Sequence, residues 1–248
     1  MSSYLKNYKV IAKDDLPAVC AFGITFTAVT LNAPMHIRYL LQKLSQGYDI
    51  RVVRQKVSSL QSAFISRETS LVFNCTGNAA RCLPGVEDPK CFPTRGQVIL
   101  AKAGQISCSV MRHGRDYETY VIPRPGSNGN VILGGFMQKG VSTGDTFSEE
   151  TESILERTKS MLADLDSPDT EVLAVFSGIR PSREGGARVS LEEIDISKTQ
   201  QKGLVVQNYG AGGTGFQAGH GMATDAVMLA EGVLQNILSG HEKFRPLL

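Results

Sequence analysis

The stretch Asn208-Tyr-Gly-Ala-Gly-Gly-Thr-Gly-Phe-Gln-Ala-Gly-His-Gly221 limits the possible folds most. It lies behind the strand-like Leu204-Val-Val-Gln207 and ahead of a long helical pattern. A strand, a glycine loop and a helix are expected there. Glycine lets the backbone approach a ligand closely and take positive φ, and the start of a helix offers unpaired N–H groups and the positive end of its dipole to an electron-rich atom. A flavin pyrimidine edge or a phosphate suits that end, and an ordinary helix start is the plainer reading. The same residues spell Gly210-x-Gly212-x-x-Gly215, the dinucleotide fingerprint. A first Rossmann unit, however, needs another strand after the helix and an acidic residue about twenty positions on. The loop is therefore expected to close an α/β domain.

Composition narrows the classes. The chain has 248 residues, a net charge of +2 and 20% charged residues, which gives no polyanion-binding signal and argues against a nucleic-acid partner. No stretch approaches the roughly 18 uncharged apolar residues of a membrane span, and Met1-Ser-Ser-Tyr-Leu-Lys-Asn-Tyr-Lys9 lacks a signal-peptide apolar region. A soluble intracellular protein is expected. Its five cysteines show no CxxC spacing and its four histidines no HxxxH pair, so reduced thiols and no metal are expected.

Short β-branched runs bounded by turn residues mark strands at Phe22–Thr30, Ile50–Val53, Leu71–Asn74 and Gln97–Leu100. Between the first two, Pro34 suits a first helical turn, and Ile37, Leu40, Leu41 and Leu44 recur at helical spacing until Gly47. Further on, strands are expected at Tyr120–Pro123, Val131–Leu133 and Val172–Val175, the first two joined as a hairpin by Gly126-Ser-Asn-Gly-Asn130. Between the hairpin and the third strand, Ser148 is expected to cap a helix whose buried stripe is Ile154, Leu155, Met161, Leu162 and Leu165. Met222, Ala226, Leu229, Val233 and Ile237 predict one final helix. The fold class is α/β: a partial sheet-and-helix domain from residues 1–100 and 202–248, with a mostly antiparallel α+β domain inserted at 101–201. Ligand sites favour such junctions.

Three more segments carry chemistry: Asn74-Cys-Thr-Gly-Asn-Ala79, Tyr120-Val-Ile-Pro-Arg-Pro125 and Ser177-Gly-Ile-Arg-Pro-Ser-Arg183. Thr30-Leu-Asn-Ala-Pro34, Gly85-Val-Glu-Asp88, Arg95-Gly-Gln-Val98 and Leu133-Gly-Gly135 stand in order around them. From Tyr8 to about Leu238 this ordered set resembles the D-amino-acid oxidase family of FAD enzymes, which includes the D-aspartate oxidases. The family's opening strand, GxGxxG and helix, which grip the FAD pyrophosphate, have no counterpart among these residues.

The resemblance implies oxidative deamination of D-amino acids to 2-oxo acids, ammonia and hydrogen peroxide, with FAD, a small D-amino acid and dioxygen as cofactor and partners. Arg180 would bind the substrate α-carboxylate as a fork, a role suited to its planar donors; taken alone it would be a surface arginine. Tyr120 would share that carboxylate. Tyr117 resembles a lid tyrosine at a spacing one residue short. Phe136 and Met137 follow Gly134-Gly135 where one branch of the family has an apolar substrate-side residue, with core packing as the alternative. The cofactor side would comprise Gly212, Gly213, Thr214, Gly215 and Gln217 near the flavin ring, Thr76 and Gly77 in a turn on the adenosine side, and Val53 on a strand beside the adenine. Gly213 would also meet the substrate amine. Arg183 and Arg124 are candidates for a second basic group that would favour an acidic substrate. The alternatives are a D-aspartate oxidase or a truncated, non-catalytic relative unable to hold FAD. Location is expected to be peroxisomal by resemblance, or cytoplasmic because Arg245-Pro-Leu-Leu248 is not a Ser-Lys-Leu signal. A homodimer is compatible with all of these.

Overall fold

A computed structural model describes residues 4–48, 50–114, 118–196 and 202–242. Two short strands, β1 (Lys9–Val10) and β2 (Ile24–Thr25), pair antiparallel before helix α1 (Ala33–Gly47) and strand β3 (Leu71–Asn74). Next come β4 (Cys91–Lys102), β5 (Val110–His113), β6 (Glu118–Pro123), β7 (Asn130–Gly134), β8 (Gln138–Lys139), helix α2 (Ser148–Met161) and β9 (Glu171–Arg183). The remaining elements are β10 (Arg188–Asp195), β11 (Lys202–Tyr209), α3 (Gly215–Leu229) and α4 (Glu231–Glu242).

The six strands β5-β6-β7-β4-β8, with β9 on the other edge of β4, form one antiparallel sheet. Its hairpin β6–β7 turns where expected, with Gly126, Asn128 and Gly129 all at positive φ. Side chains alternate between faces along each strand. Arg95, Gln97, Ile99 and Ala101 of β4, Thr119 and Val121 of β6, and Val131 and Leu133 of β7 are buried. Ile154 and Leu165 pack on the apolar members of this set, with Leu155, Met161 and Leu162 around them. Each fully buried aliphatic side chain contributes about 1.5–3 kcal/mol relative to exposure. The opposite face of the same sheet carries Thr94, Gly96, Tyr120, Gly134 and Arg180, since Thr94 pairs with Arg180 and Tyr120 with Gly134.

The smaller sheet has the order β10-β11-β3, with β11 antiparallel to β10 and parallel to β3. Val206 packs on Ala226 and Ala230, which fastens α3 to β11. Buried Asn74 and Gln207, in register on β3 and β11, are joined by a 2.7 Å hydrogen bond from Asn74 Nδ2 to Gln207 Oε1. The sheet therefore sets the Thr76 turn beside the end of β11.

Several expectations need correction. β4 hydrogen-bonds to the antiparallel sheet from Cys91 onward, and β10 pairs with β11, so both sheet memberships cross the boundaries expected at 101 and 201. Ser148 is the first helical residue of α2 and does not cap it; Phe147 precedes the helix without a side-chain cap. Its backbone is instead held by Gln97, which accepts from Phe147 N at 2.8 Å and donates to Phe147 O at 2.8 Å. Residues 50–53 form no strand, and of residues 22–30 only Ile24–Thr25 do, because a strand needs a ladder partner and among the described residues only Lys9–Val10 supplies one. The final helical pattern breaks at Ala230 into α3 and α4.

Candidate active site

Strand β9 carries Arg180 onto the sheet face opposite α2. Its guanidinium lies across Gly96 on β4, where an added Cβ would fall 2.6 Å from both Cζ and Nη1, and its Nη1 donates to Phe136 O at 2.9 Å. Tyr120 on β6 lies against Gly134 and Gly135 in the same way, with an added Cβ at Gly135 only 2.7 Å from the phenol oxygen. These glycines form a floor on which a planar cation and a planar phenol lie flat. Burial pushes the Tyr120 hydroxyl up from its ordinary range, and the Arg180 charge and a hydrogen bond from Arg180 offset only part of this. The hydroxyl is thus a neutral donor at physiological pH, next to a fixed positive charge.

The glycine loop meets this pair from the other sheet. Ala211 forms an isolated bridge with Ser182, and the Cβ position of Gly213 lies 3.6 Å from Arg180 Cδ. Gly212 takes φ +57 at the start of a 3-10 turn that leads into α3. Gly210 has φ +88 and no room for a side chain, since its Cβ would stand 2.8 Å from Arg183 Cβ. Arg180, Tyr120 and the Gly212–Gly213 backbone therefore converge from distant positions in the chain.

Of the loop residues expected to meet the cofactor, Gly213, Thr214 and Gln217 are exposed, while Gly212 and Gly215 are half-buried. No side chain caps α3 and no acidic residue lies in its first turn. That leaves N–H donors and a positive dipole end directed outward. Thr76 is exposed, with its N–H on Asn74 Oδ1 at 3.2 Å, and Gly77 takes φ +59 against Pro181. Asn78 Nδ2 donates to Ile179 O at 2.9 Å, so this turn borders the Arg180 strand. Val53 is not brought to that group as a strand residue; it is 56% exposed and lies in no strand. Met137 is 59% exposed, beyond the Phe136 carbonyl. Tyr117 lies outside the described residues.

The two further arginines donate to partners within the protein. Arg183 Nε donates to Asp88 Oδ2 at 2.8 Å, and Arg124 Nε to Asn32 Oδ1 at 3.1 Å. Burial alone would push the Asp88 carboxyl up, yet hydrogen bonds from Arg183, the Lys90 N–H and Tyr209, together with the Arg183 charge, hold it below the usual range. Asp88 also accepts from Tyr209 Oη at 3.0 Å, so it ties the end of β9 to the end of β11 just before the loop. Sequence reading missed this tie as well as the Gly96 floor. Arg95-Gly96 carried a signal: an arginine inside an apolar strand needs a buried partner, and a glycine beside it leaves room for something opposite.

The family model described as "DAO: FAD dependent oxidoreductase" matches residues 16–228. The chain belongs to that family. It is 40% identical over 234 residues to a D-amino-acid oxidase of Schizosaccharomyces pombe, covering 92% of this chain and 66% of that protein. It is 31% identical over 229 residues to a D-aspartate oxidase of Talaromyces thermophilus, covering 90% of this chain and 58% of that protein. The chain thus spans less than two thirds of the length of these two curated relatives. A glycine oxidase structure from Bacillus cereus matches with a TM-score of 0.50 at 18% identity, over 74% of this chain and 48% of that one, a likeness of fold.

Proposed function

We propose that the protein oxidises D-amino acids with FAD and dioxygen to 2-oxo acids, ammonia and hydrogen peroxide, one water being consumed in hydrolysis of the imino acid. The observation that carries this reading is the convergence of Arg180 and Tyr120 on a glycine floor beside Gly213. Arg180 grips the α-carboxylate with parallel charge-assisted hydrogen bonds, and the neutral Tyr120 hydroxyl donates a further one. Backbone groups at Gly213 orient the substrate amine. FAD, when bound, supplies the acceptor for the α-hydrogen and its electron pair. The work of these protein residues is orientation and exclusion of water. Gly212, Gly213, Thr214, Gly215 and Gln217 hold the flavin side, and Thr76 and Gly77 the adenosine side.

An uncharged substrate side chain is the preferred class. Arg183, the nearer basic candidate, is neutralised by Asp88. D-Aspartate is the second reading, favoured by the likeness to the Talaromyces thermophilus D-aspartate oxidase. The test is to purify the protein, measure bound flavin by its visible absorbance, and assay peroxide release with D-alanine and D-aspartate. Arg180→Ala is expected to raise the KM for D-alanine by at least about thirtyfold, or about 2 kcal/mol, the low end for removing one partner of a desolvated charge pair. Flavin-free protein would favour a non-catalytic relative. Flavin-loaded protein inert to both substrates refutes the proposed reaction.

A further inference from the structure

Arg157 lies on α2, behind the sheet face that carries the site, and its guanidinium reaches the two backbone segments that hold the site residues. Nη1 donates to Glu118 O at 2.9 Å and to Thr119 Oγ1 at 2.6 Å, while Nη2 donates to Gly135 O at 3.2 Å. Nε donates within α2 to Ser153 Oγ at 3.3 Å, and the guanidinium carbon stands 5.2 Å from the Phe136 ring centre. Glu118 and Thr119 immediately precede Tyr120, and Gly135 immediately precedes Phe136, whose carbonyl holds Arg180. Glu118 O also accepts from Gly135 N at 3.0 Å, so the Arg157 fork closes a junction the two segments already share.

The β6–β7 ladder ends at the Tyr120–Gly134 pair, and beyond it the chain leaves the sheet through Gly135. Two successive glycines give this exit more backbone freedom than any other pair would. A rigid planar fork that binds carbonyls on both segments removes that freedom, which a flexible, singly directed ammonium does less well. We propose that Arg157 is a positioning residue for carboxylate recognition: acting from the core side of the sheet, it fixes the spacing between the Tyr120 hydroxyl and the Arg180 guanidinium. The proposal rests on the reading of Tyr120 and Arg180 as the carboxylate grip.

The test uses the FAD-loaded protein and propionate, the amine-free counterpart of D-alanine, whose Kd is read from the perturbed flavin spectrum. Arg157→Gln is expected to weaken propionate and raise the KM for D-alanine by about tenfold or more, since misplacement by about 1 Å costs on the order of a hundredfold. Combination with Tyr120→Phe should weaken propionate by little more than the stronger single change, because the two act through one contact. Parent-like propionate affinity in folded Arg157→Gln, or full additivity with Tyr120→Phe, overturns the proposal. Should Arg157→Gln not accumulate, Arg157→Lys decides: a loss of roughly threefold or more at a parent-like Tm supports the role, and parent-like affinity overturns it. Arg180→Ala separates the two layers of inference. If it leaves propionate binding unchanged, the reading of the site fails and the proposal with it; if it abolishes binding while Arg157→Gln does not weaken it, only the proposal fails.

Discussion

Gly96→Ala tests whether the glycine floor is functional. The backbone there does not adopt the left-handed region, so alanine is allowed, and the added Cβ would fall 2.6 Å from Arg180 Cζ and Nη1. The guanidinium must therefore move off β4. Alanine in place of strand glycine gains about 0.5–1 kcal/mol from lower unfolded-state entropy. Loss of the 2.9 Å hydrogen bond to Phe136 O costs about 1.5–3 kcal/mol for a charged donor. The net expectation is a destabilisation of roughly 0.5–2.5 kcal/mol, which leaves the protein folded. The effect on substrate is larger, because a carboxylate fork displaced by about 1 Å loses on the order of a hundredfold in kcat/KM, chiefly through KM. The assay is peroxide release against D-alanine concentration in FAD-loaded protein, with thermal melts alongside. A folded Gly96→Ala protein with KM within roughly twofold of the parent would show that the substrate does not depend on the guanidinium lying on this floor.

Asp88→Asn should lower stability at pH 7 and flatten the acid limb of the stability profile. The folded pKa of Asp88 is depressed, so its contribution is fully present above the unfolded value of about 3.9 and is lost as pH falls through the lower folded value. A variant whose urea midpoint follows the parent from pH 7 to pH 3 refutes that linkage. Arg95→Met should cost about 3–5 kcal/mol, because Glu150, which meets Arg95 Nη1 at 2.7 Å, loses the partner of a largely buried charge; Arg95→Met with Glu150→Leu should recover much of it. Equal midpoints for the single and double variants in chemical denaturation would contradict this.

The strands most legible in the sequence are those joined by a short turn or ended by a clear turn residue. Tyr120–Pro123 and Val131–Leu133 have a turn of Gly and Asn between them, and Leu71–Asn74 ends in an Asn that the sheet buries. Ile50–Val53 has the same β-branched composition, yet β3 pairs only with β11 and leaves it no ladder among the described residues. Composition reports fitness for a strand, while pairing decides whether one forms. The juxtaposition of Arg180 and Tyr120 is legible only through motif resemblance, since nothing local marks an arginine as lying over a glycine on the next strand. Arg183 shows the converse. The sequence offers it as a candidate second basic group without showing where it points, and Asp88, 95 residues away, takes its Nε, a partner that no local pattern signals.

Strand alternation in the antiparallel sheet separates the packed core from the proposed recognition face. On β6, Thr119 and Val121 face the core while Tyr120 between them faces the site; on β4, Arg95 and Gln97 face α2 while Gly96 lies under Arg180. Large side chains on the core face are favoured by burial. On the site face the groups proposed to recognise substrate are themselves flat and stand close over the strands, so the neighbouring positions must be small. The glycines at 96, 134 and 135 therefore follow from placing a guanidinium and a phenol side by side on a sheet, independently of any turn or positive φ. The same alternation makes communication through the sheet possible: a core-side residue such as Arg157 can bind backbone carbonyls whose adjoining side chain or peptide serves the site, and so tune recognition without touching the substrate.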